Sequence, residues 1–174
     1  LIRQHLEGLG GLKNAHGSLE GKVESIGALE YIDQNPIGKS SRSNPVTYVK
    51  AFDEIRSLFS DSVPAKARGY KPAHFSFNVT GGRCDTCEGE GEVTIGMQFM
   101  ADLKLQCDAC HGKRFKDEVL EVQWNGKNIS EVLAMTVDDA MEFFLPDPTA
   151  KKVPAAQKRL ITKLTPLCEV GLGY

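Results

Sequence analysis

Several things are scarce or missing in this sequence, and each absence narrows the choice. No apolar run approaches the roughly 20 residues that a helix needs to cross a bilayer, so no membrane-spanning helix is expected. No secretory leader pattern opens the chain, because Leu1 to Leu12 is interrupted by Arg3, His5 and Glu7. No fixed period marks it as collagen-like or mucin-like. No G-x-x-x-x-G-K-[ST] loop occurs. Gly38-Lys39-Ser40 ends like such a loop, but its first glycine would fall at Asp33, and Pro36 interrupts it. Nor is a Walker B carboxylate pair visible. What is present is ordinary: 174 residues, 41% hydrophobic and 25% charged, enough for one globular domain or slightly more.

Net charge is -2, which alone points to no polyanionic partner, but the charge is unevenly spread. Residues 36–83 carry eight basic and three acidic side chains, a net of +5, whereas residues 84–145 carry five and thirteen, a net of -8. The basic block could simply be a solvated face, or it could meet an anion.

The strongest signal is cysteine spacing. Four of the five cysteines form two C-x-x-C pairs, Cys84/Cys87 and Cys107/Cys110, with 19 residues between them. A C-x-x-C turn brings two thiolates to one ion, and two such knuckles supply the four sulfurs of a structural zinc site. The odd count argues against a disulfide framework. Alternatives are haem attachment at Cys107-Asp-Ala-Cys110-His111, a thioredoxin-like redox pair, and a chaperone-type zinc domain. The last is suggested by the C-x-x-C-x-G-x-G run from Cys84 to Gly91. Cys168 lies on an apolar helical face with Leu160, Ile161 and Leu164 and is expected to be a buried core thiol.

Periodicity places the remaining elements. Leu1 to Leu6 reads as a helix end. Ala28 to Asp33 and Phe75 to Val79 alternate like strands. Asn44 caps a helix that Pro45 opens and whose apolar face is Val49, Phe52, Ile55 and Phe59. A short helix is expected at Ala65 to Arg68. Between the knuckles, Val93, Ile95, Met97 and Phe99 alternate, then Leu103 and Leu105, predicting a β-hairpin with Ala101-Asp102 near its tip. Glu118 to Trp124 followed by Asn125-Gly126 predicts a second hairpin. Thr136 to Asp139 opens a helix that Phe144 ends, and a last helix from about Ala155 to Cys168 contains Pro166, which would kink or shorten it.

Five motifs fall in one order: Ile32-Asp33-Gln34-Asn35-Pro36-Ile37-Gly38, Arg42-Ser43-Asn44-Pro45, Phe75 to Val79 with Gly81-Gly82-Arg83-Cys84, Cys107-x-x-Cys110-x-Gly112-Lys113-Arg114, and Val170 to Tyr174. In this order they resemble the UvrA family, damage-recognition ATPases of bacterial nucleotide excision repair. The resemblance covers about Ile26 to Tyr174 and falls in the second half of that family's chain, between the Walker A loop and the ABC signature. It implies a segment of a longer protein, as does a start at Leu1 rather than Met.

The fold class it implies is α+β: a helical signature-type subdomain with short strands and a zinc-clamped, zinc-ribbon-like β-hairpin. Residues 1–35 would be the remnant of the second ATP-binding domain up to the Q-loop. Residues 36–174 would be the signature-II region, with the zinc module at about 80–115. Zinc, one ion per chain on Cys84, Cys87, Cys107 and Cys110, would be structural. ATP and Mg²⁺ would bind only in the whole protein, and this segment would not be catalytic alone. Gln34 would be a Q-loop glutamine near nucleotide, or a loop residue without a role.

The partner implied is damaged double-stranded DNA. A helix start with hydroxyl, amide and basic groups suits phosphate oxygens, which selects Arg42, Ser43, Asn44, Thr47, Tyr48 and Lys50, extended by Arg68 and Arg83 and more weakly by Lys66 and Lys71. For Arg42 and Asn44 the competing role is capping and local hydrogen bonding. Met97, Phe99, Met100 and Leu103 are either packed core or an apolar probe for weakened stacking at a lesion. The resemblance also implies a cytoplasmic homodimer that meets the UvrB subunit through other segments. The alternative is a stand-alone four-cysteine zinc module of chaperone type that binds protein.

Overall fold

The computed structural model describes Ile2, Leu6, residues 20–30, Ile32, Arg42, residues 44–147 and residues 153–174. Gln34 and Ser43 lie outside the described residues. The chain divides into two compact units, Leu1–Pro36 and Ile37–Tyr174. In the first, Ile2 and Leu6 are helical and Val23–Ser25 forms one 3-10 turn. Over its described residues the alternation from Ala28 forms no strand: residues 26–30 are irregular and Ile32 is 91% exposed. Alternation alone makes no strand without a neighbour to complete its ladder, and no described segment pairs there.

The second unit is built on two helices. Helix α1 (Pro45–Tyr48) is capped by Asn44, whose side chain accepts from the Thr47 N–H at 2.9 Å. The single helix expected from Asn44 onward is in fact two. Lys50 adopts a left-handed φ of 57°, and a new helix, α2 (Ala51–Asp61), starts behind it. Helix α2 buries Ala51, Phe52, Ile55, Leu58 and Phe59, the three-and-four spacing of one helical face. It packs against the last helix, α7 (Ala155–Glu169), which buries Ala156, Leu160 and Leu164 and continues through Pro166. Glu54, itself buried, fastens the pair, accepting from Arg159 Nε at 2.9 Å and Lys163 Nζ at 2.7 Å.

Between them come α3 (Val63–Ala67), α4 (Asp117–Leu120), α5 (Ile129–Leu133) and α6 (Val137–Phe143). The Thr136 hydroxyl caps α6 by accepting from the Asp139 N–H, as its sequence signature suggests. Cys168 is only half-buried, a correction to the core thiol expected. It sits in the last turn of α7, where burial and then the nearby Asp138 carboxylate hold its thiol above the usual range.

The strands expected over Phe75 to Val79 and from Glu118 also need correction. Pro72–Phe75 is a 3-10 turn, and Phe75, Ser76 and Phe77 are all buried, so the segment packs on every side instead of alternating. Asp117–Leu120 is a helical turn, and the second hairpin shrinks to β3 (Gln123–Trp124) against β4 (Lys127–Asn128). Asn125 and Gly126 occupy its turn with φ of 49° and 83°.

The first hairpin forms, although its strands stop short of Met97 and Phe99 and its pairing centres on residue 99. Strand β1 (Glu92–Ile95) pairs antiparallel with β2 (Leu103–Gln106), setting Val93 opposite Leu105 and Ile95 opposite Leu103. Every residue of both strands is exposed.

Candidate metal centre

Each half of the site is a cysteine followed by a tight turn. In the first knuckle the Glu90 N–H donates to the Cys87 carbonyl at 2.9 Å, and the Gly91 N–H reaches the Cys87 sulfur at 3.3 Å. In the second, the His111 N–H donates to the Cys107 carbonyl and the Lys113 N–H to that of Cys110, at 2.7 and 2.9 Å. The two turns follow the same backbone path. One, two and four residues beyond the second cysteine, φ is positive: 51°, 85° and 79° at Glu88, Gly89 and Gly91, then 48°, 78° and 71° at His111, Gly112 and Arg114.

The knuckles are joined to each other and to the core. The Cys107 N–H donates to the Gly91 carbonyl, the Cys84 N–H to that of Arg114 and the Lys116 N–H to that of Gly82. Phe77 and Phe115 lie beneath, edge to face at 6.4 Å, with Phe52 stacked on Phe77 at 5.1 Å. Gly89 passes so close that a Cβ there would sit 2.1 Å from the Phe77 carbonyl oxygen. Sequence reasoning did not identify this seat. Its only trace was the glycine two residues after each cysteine pair.

All four thiols are free and buried, and their sulfurs lie within 4.8 Å of one another. Cys84 to Cys107 is 4.0 Å and Cys87 to Cys110 is 3.6 Å. A tetrahedral ion with bonds of about 2.3 Å to sulfur holds its ligands about 3.8 Å apart, so the geometry fits an ion of that kind and the four cysteines could hold one. Burial raises the Cys84 thiol, but N–H groups of Cys87 and Thr86 and the neighbouring thiols outweigh it and bring Cys84 down to about 7. Burial pushes Cys110 up to about 12, and Cys87 upward as well.

No family model matches the chain. Individual proteins do. It is 50% identical over 161 residues to UvrABC system protein A of Treponema pallidum, covering 89% of this chain and 16% of the relative. It is 48% identical over 174 residues to the Clostridium perfringens protein of the same name, covering 97% and 18%. The crystal structure of UvrA2 from Deinococcus radiodurans superposes with a TM-score of 0.70 at 46% identity, covering 82% of this chain and 16% of that one. The chain is related to UvrA. It matches one region of these proteins and spans about a sixth of the length of the curated relatives.

The residues selected as DNA contacts fare differently from the cysteines. Arg42 donates through Nε to Glu90 at 2.7 Å and approaches Glu88 at 3.9 Å, where Arg83 also arrives at 3.4 Å. Arg68 lies elsewhere, holding Glu121 at 2.6 Å and the Glu118 carbonyl at 2.8 Å. Asn44 is the α1 cap. The Thr47 hydroxyl oxygen is buried without a hydrogen-bond partner, and Tyr48 is 63% exposed. Lys50 is exposed at the helix break, and its carbonyl accepts from Lys163 Nζ at 2.9 Å. The basic block and the acidic block therefore neutralise each other in part. Met97, Phe99 and Met100 at the hairpin tip are exposed, Phe99 at 95%, so they are not core. Among the described residues no helix is long and apolar enough to cross a membrane.

Proposed function

We propose that this segment is the DNA-engaging, zinc-bearing part of a UvrA-type damage-recognition protein. The observation that carries the reading is the buried four-sulfur cluster set in a chain so similar to UvrABC system protein A. Zinc is the ion proposed. Four thiolates suit it, and it would act structurally, drawing the two knuckles together at the base of the ribbon. The segment would meet duplex DNA through the phosphate backbone, without a base code, as chemically varied lesions require. Gln34, Arg42, Ser43, Asn44, Thr47, Tyr48, Lys50, Arg68 and Arg83 keep the roles assigned from the resemblance. Those arginines that hold carboxylates would exchange them for phosphates. Nucleotide binding, dimer formation, the meeting with UvrB and a cytoplasmic setting belong to the longer protein.

The exposed apolar ribbon face favours a second reading, a chaperone-type module that binds unfolded protein. Co²⁺ loading followed by visible absorption and titration with a damaged duplex separates the two. Tetrahedral thiolate bands together with duplex binding support the proposal. Affinity for unfolded polypeptide with none for DNA overturns it in favour of the module.

A further inference from the structure

The two knuckles share a backbone path but differ at its last step. Where the first has Gly91, the second has Arg114, in the left-handed region at φ 71°. A Cβ makes that conformation costlier for arginine than for glycine, as it does for Glu88 and His111 in the same turns. The guanidinium lies over the Phe77 ring, 5.3 Å from its centroid. Neither Arg114 nor its neighbour Lys113 has an ion-pair partner among the described residues, unlike Arg42, Arg68, Arg83 and Lys116.

Lys113 and Arg114 line a cleft of about 270 Å³ together with Asn44 and Ser130. Asn44 uses its side-chain oxygen as the α1 cap, which leaves its amide nitrogen to donate. No carboxylate lines this cleft among the described residues, whereas Glu88, Glu90 and Glu92 all line the cleft beside the other knuckle. Two cations, an amide donor and a hydroxyl without an acid suit a ligand that only accepts hydrogen bonds. We propose that this cleft is a contact site for the phosphate backbone of duplex DNA, with Lys113 and Arg114 as its cations. The proposal rests on the DNA-binding reading above and adds Lys113 and Arg114, which the sequence did not select as contacts, beside Asn44, which it did. Arg114 offers a planar fork that matches two phosphate oxygens, and Lys113 a mobile point charge beside it. Contacts of this kind position a duplex without reading its sequence.

The test is fluorescence-anisotropy titration of a labelled duplex with the zinc-loaded 174-residue chain at several salt concentrations. Each phosphate contact contributes about 0.9 to the slope of log affinity against log salt. The double variant Lys113→Ala/Arg114→Gln should lower that slope by about 1.8. Between about 50 and 200 mM salt the wild-type affinity then falls about tenfold more than the variant's. Lys113→Ala alone, at an exposed position, should remove about half of the slope change, with metal content unchanged. Lys158→Ala, a charge removed from α7, should leave the slope intact. A wild-type slope in Lys113→Ala, or an equal loss in Lys158→Ala, overturns the site while leaving DNA binding standing. Failure of the wild-type chain to bind duplex overturns the DNA reading and this site with it.

Discussion

Stripping the zinc proposed for the four cysteines should unfold the ribbon and spare the core. Strands β1 and β2 pair over only four residues each and bury neither face. Val93, Ile95, Leu103 and Leu105 are each about two-fifths exposed or more. Their two cross-strand pairs contribute about 0.2–1 kcal/mol apiece. Closing a loop of this length costs about 3 kcal/mol, and a lone two-stranded hairpin is marginal at best. Without an ion across its base, the ribbon is therefore disfavoured by roughly 1–2.5 kcal/mol. Helices α2 and α7 are held instead by their own buried faces, with Phe59 and Leu160 fully buried, and neither helix contains one of the four clustered cysteines. Hydrogen exchange read by mass spectrometry, before and after complete removal of the metal, measures the difference. Amides of residues 92–106 should exchange almost as fast as in an unfolded chain. Those of Ala51–Asp61 and Ala155–Glu169 should change by no more than a few-fold, and residues near Phe115 should show a smaller rise. Unchanged exchange in the ribbon, or equal loss in both helices, would refute the reasoning.

Cys84→Ser should release metal and expose the ribbon, whereas Cys168→Ser should leave metal content untouched, as measured by zinc analysis of the dialysed proteins. Phe77→Ala removes a fully buried ring that joins Phe52 to Phe115. It should cost about 3–5 kcal/mol in denaturant unfolding, and a loss below about 1 kcal/mol would contradict the packing described. Glu54 has a lowered pKa because Arg159 hydrogen-bonds to it, against the raising effect of burial and with further lowering from Lys163. Its contribution is complete above the ordinary carboxylate value of 4.5 and disappears as pH falls through the lowered folded value. Glu54→Gln should be less stable than wild type near neutrality, and the gap should narrow in acid. A gap that stays constant in pH-dependent melting would rule out this linkage.

Local signals in the sequence were reliable where one residue answers one backbone need. Asn44 and Thr136 cap their helices as their types demand, and the apolar alternation between the knuckles becomes the first hairpin. The cysteine spacing brings four sulfurs together because each C-x-x-C turn is itself a local structure. Non-local partners could not be read. Phe75 to Val79 alternates like a strand, but Phe75, Ser76 and Phe77 are all buried, leaving only Asn78 and Val79 exposed. Nothing in the neighbourhood of Lys50 announces a left-handed residue in the middle of an apolar helical pattern. The basic block looked available for DNA, yet Arg42 meets Glu90 and Arg68 meets Glu121 across 48 and 53 positions. Such ion pairs become visible only when the chain has folded back on itself.

The exposed ribbon, rooted in a rigid base, is also a lever. Four residues of strand reach about 14 Å beyond the knuckles, so a tilt of about 10° at the root would sweep the far end through about 2.5 Å. Phe99 and Met100 ride at that far end. Gly89, pressed on the Phe77 carbonyl at the root, marks the fulcrum. A tilt of that size at the root would arrive at the tip as a displacement of more than half the spacing between stacked bases, about 3.4 Å.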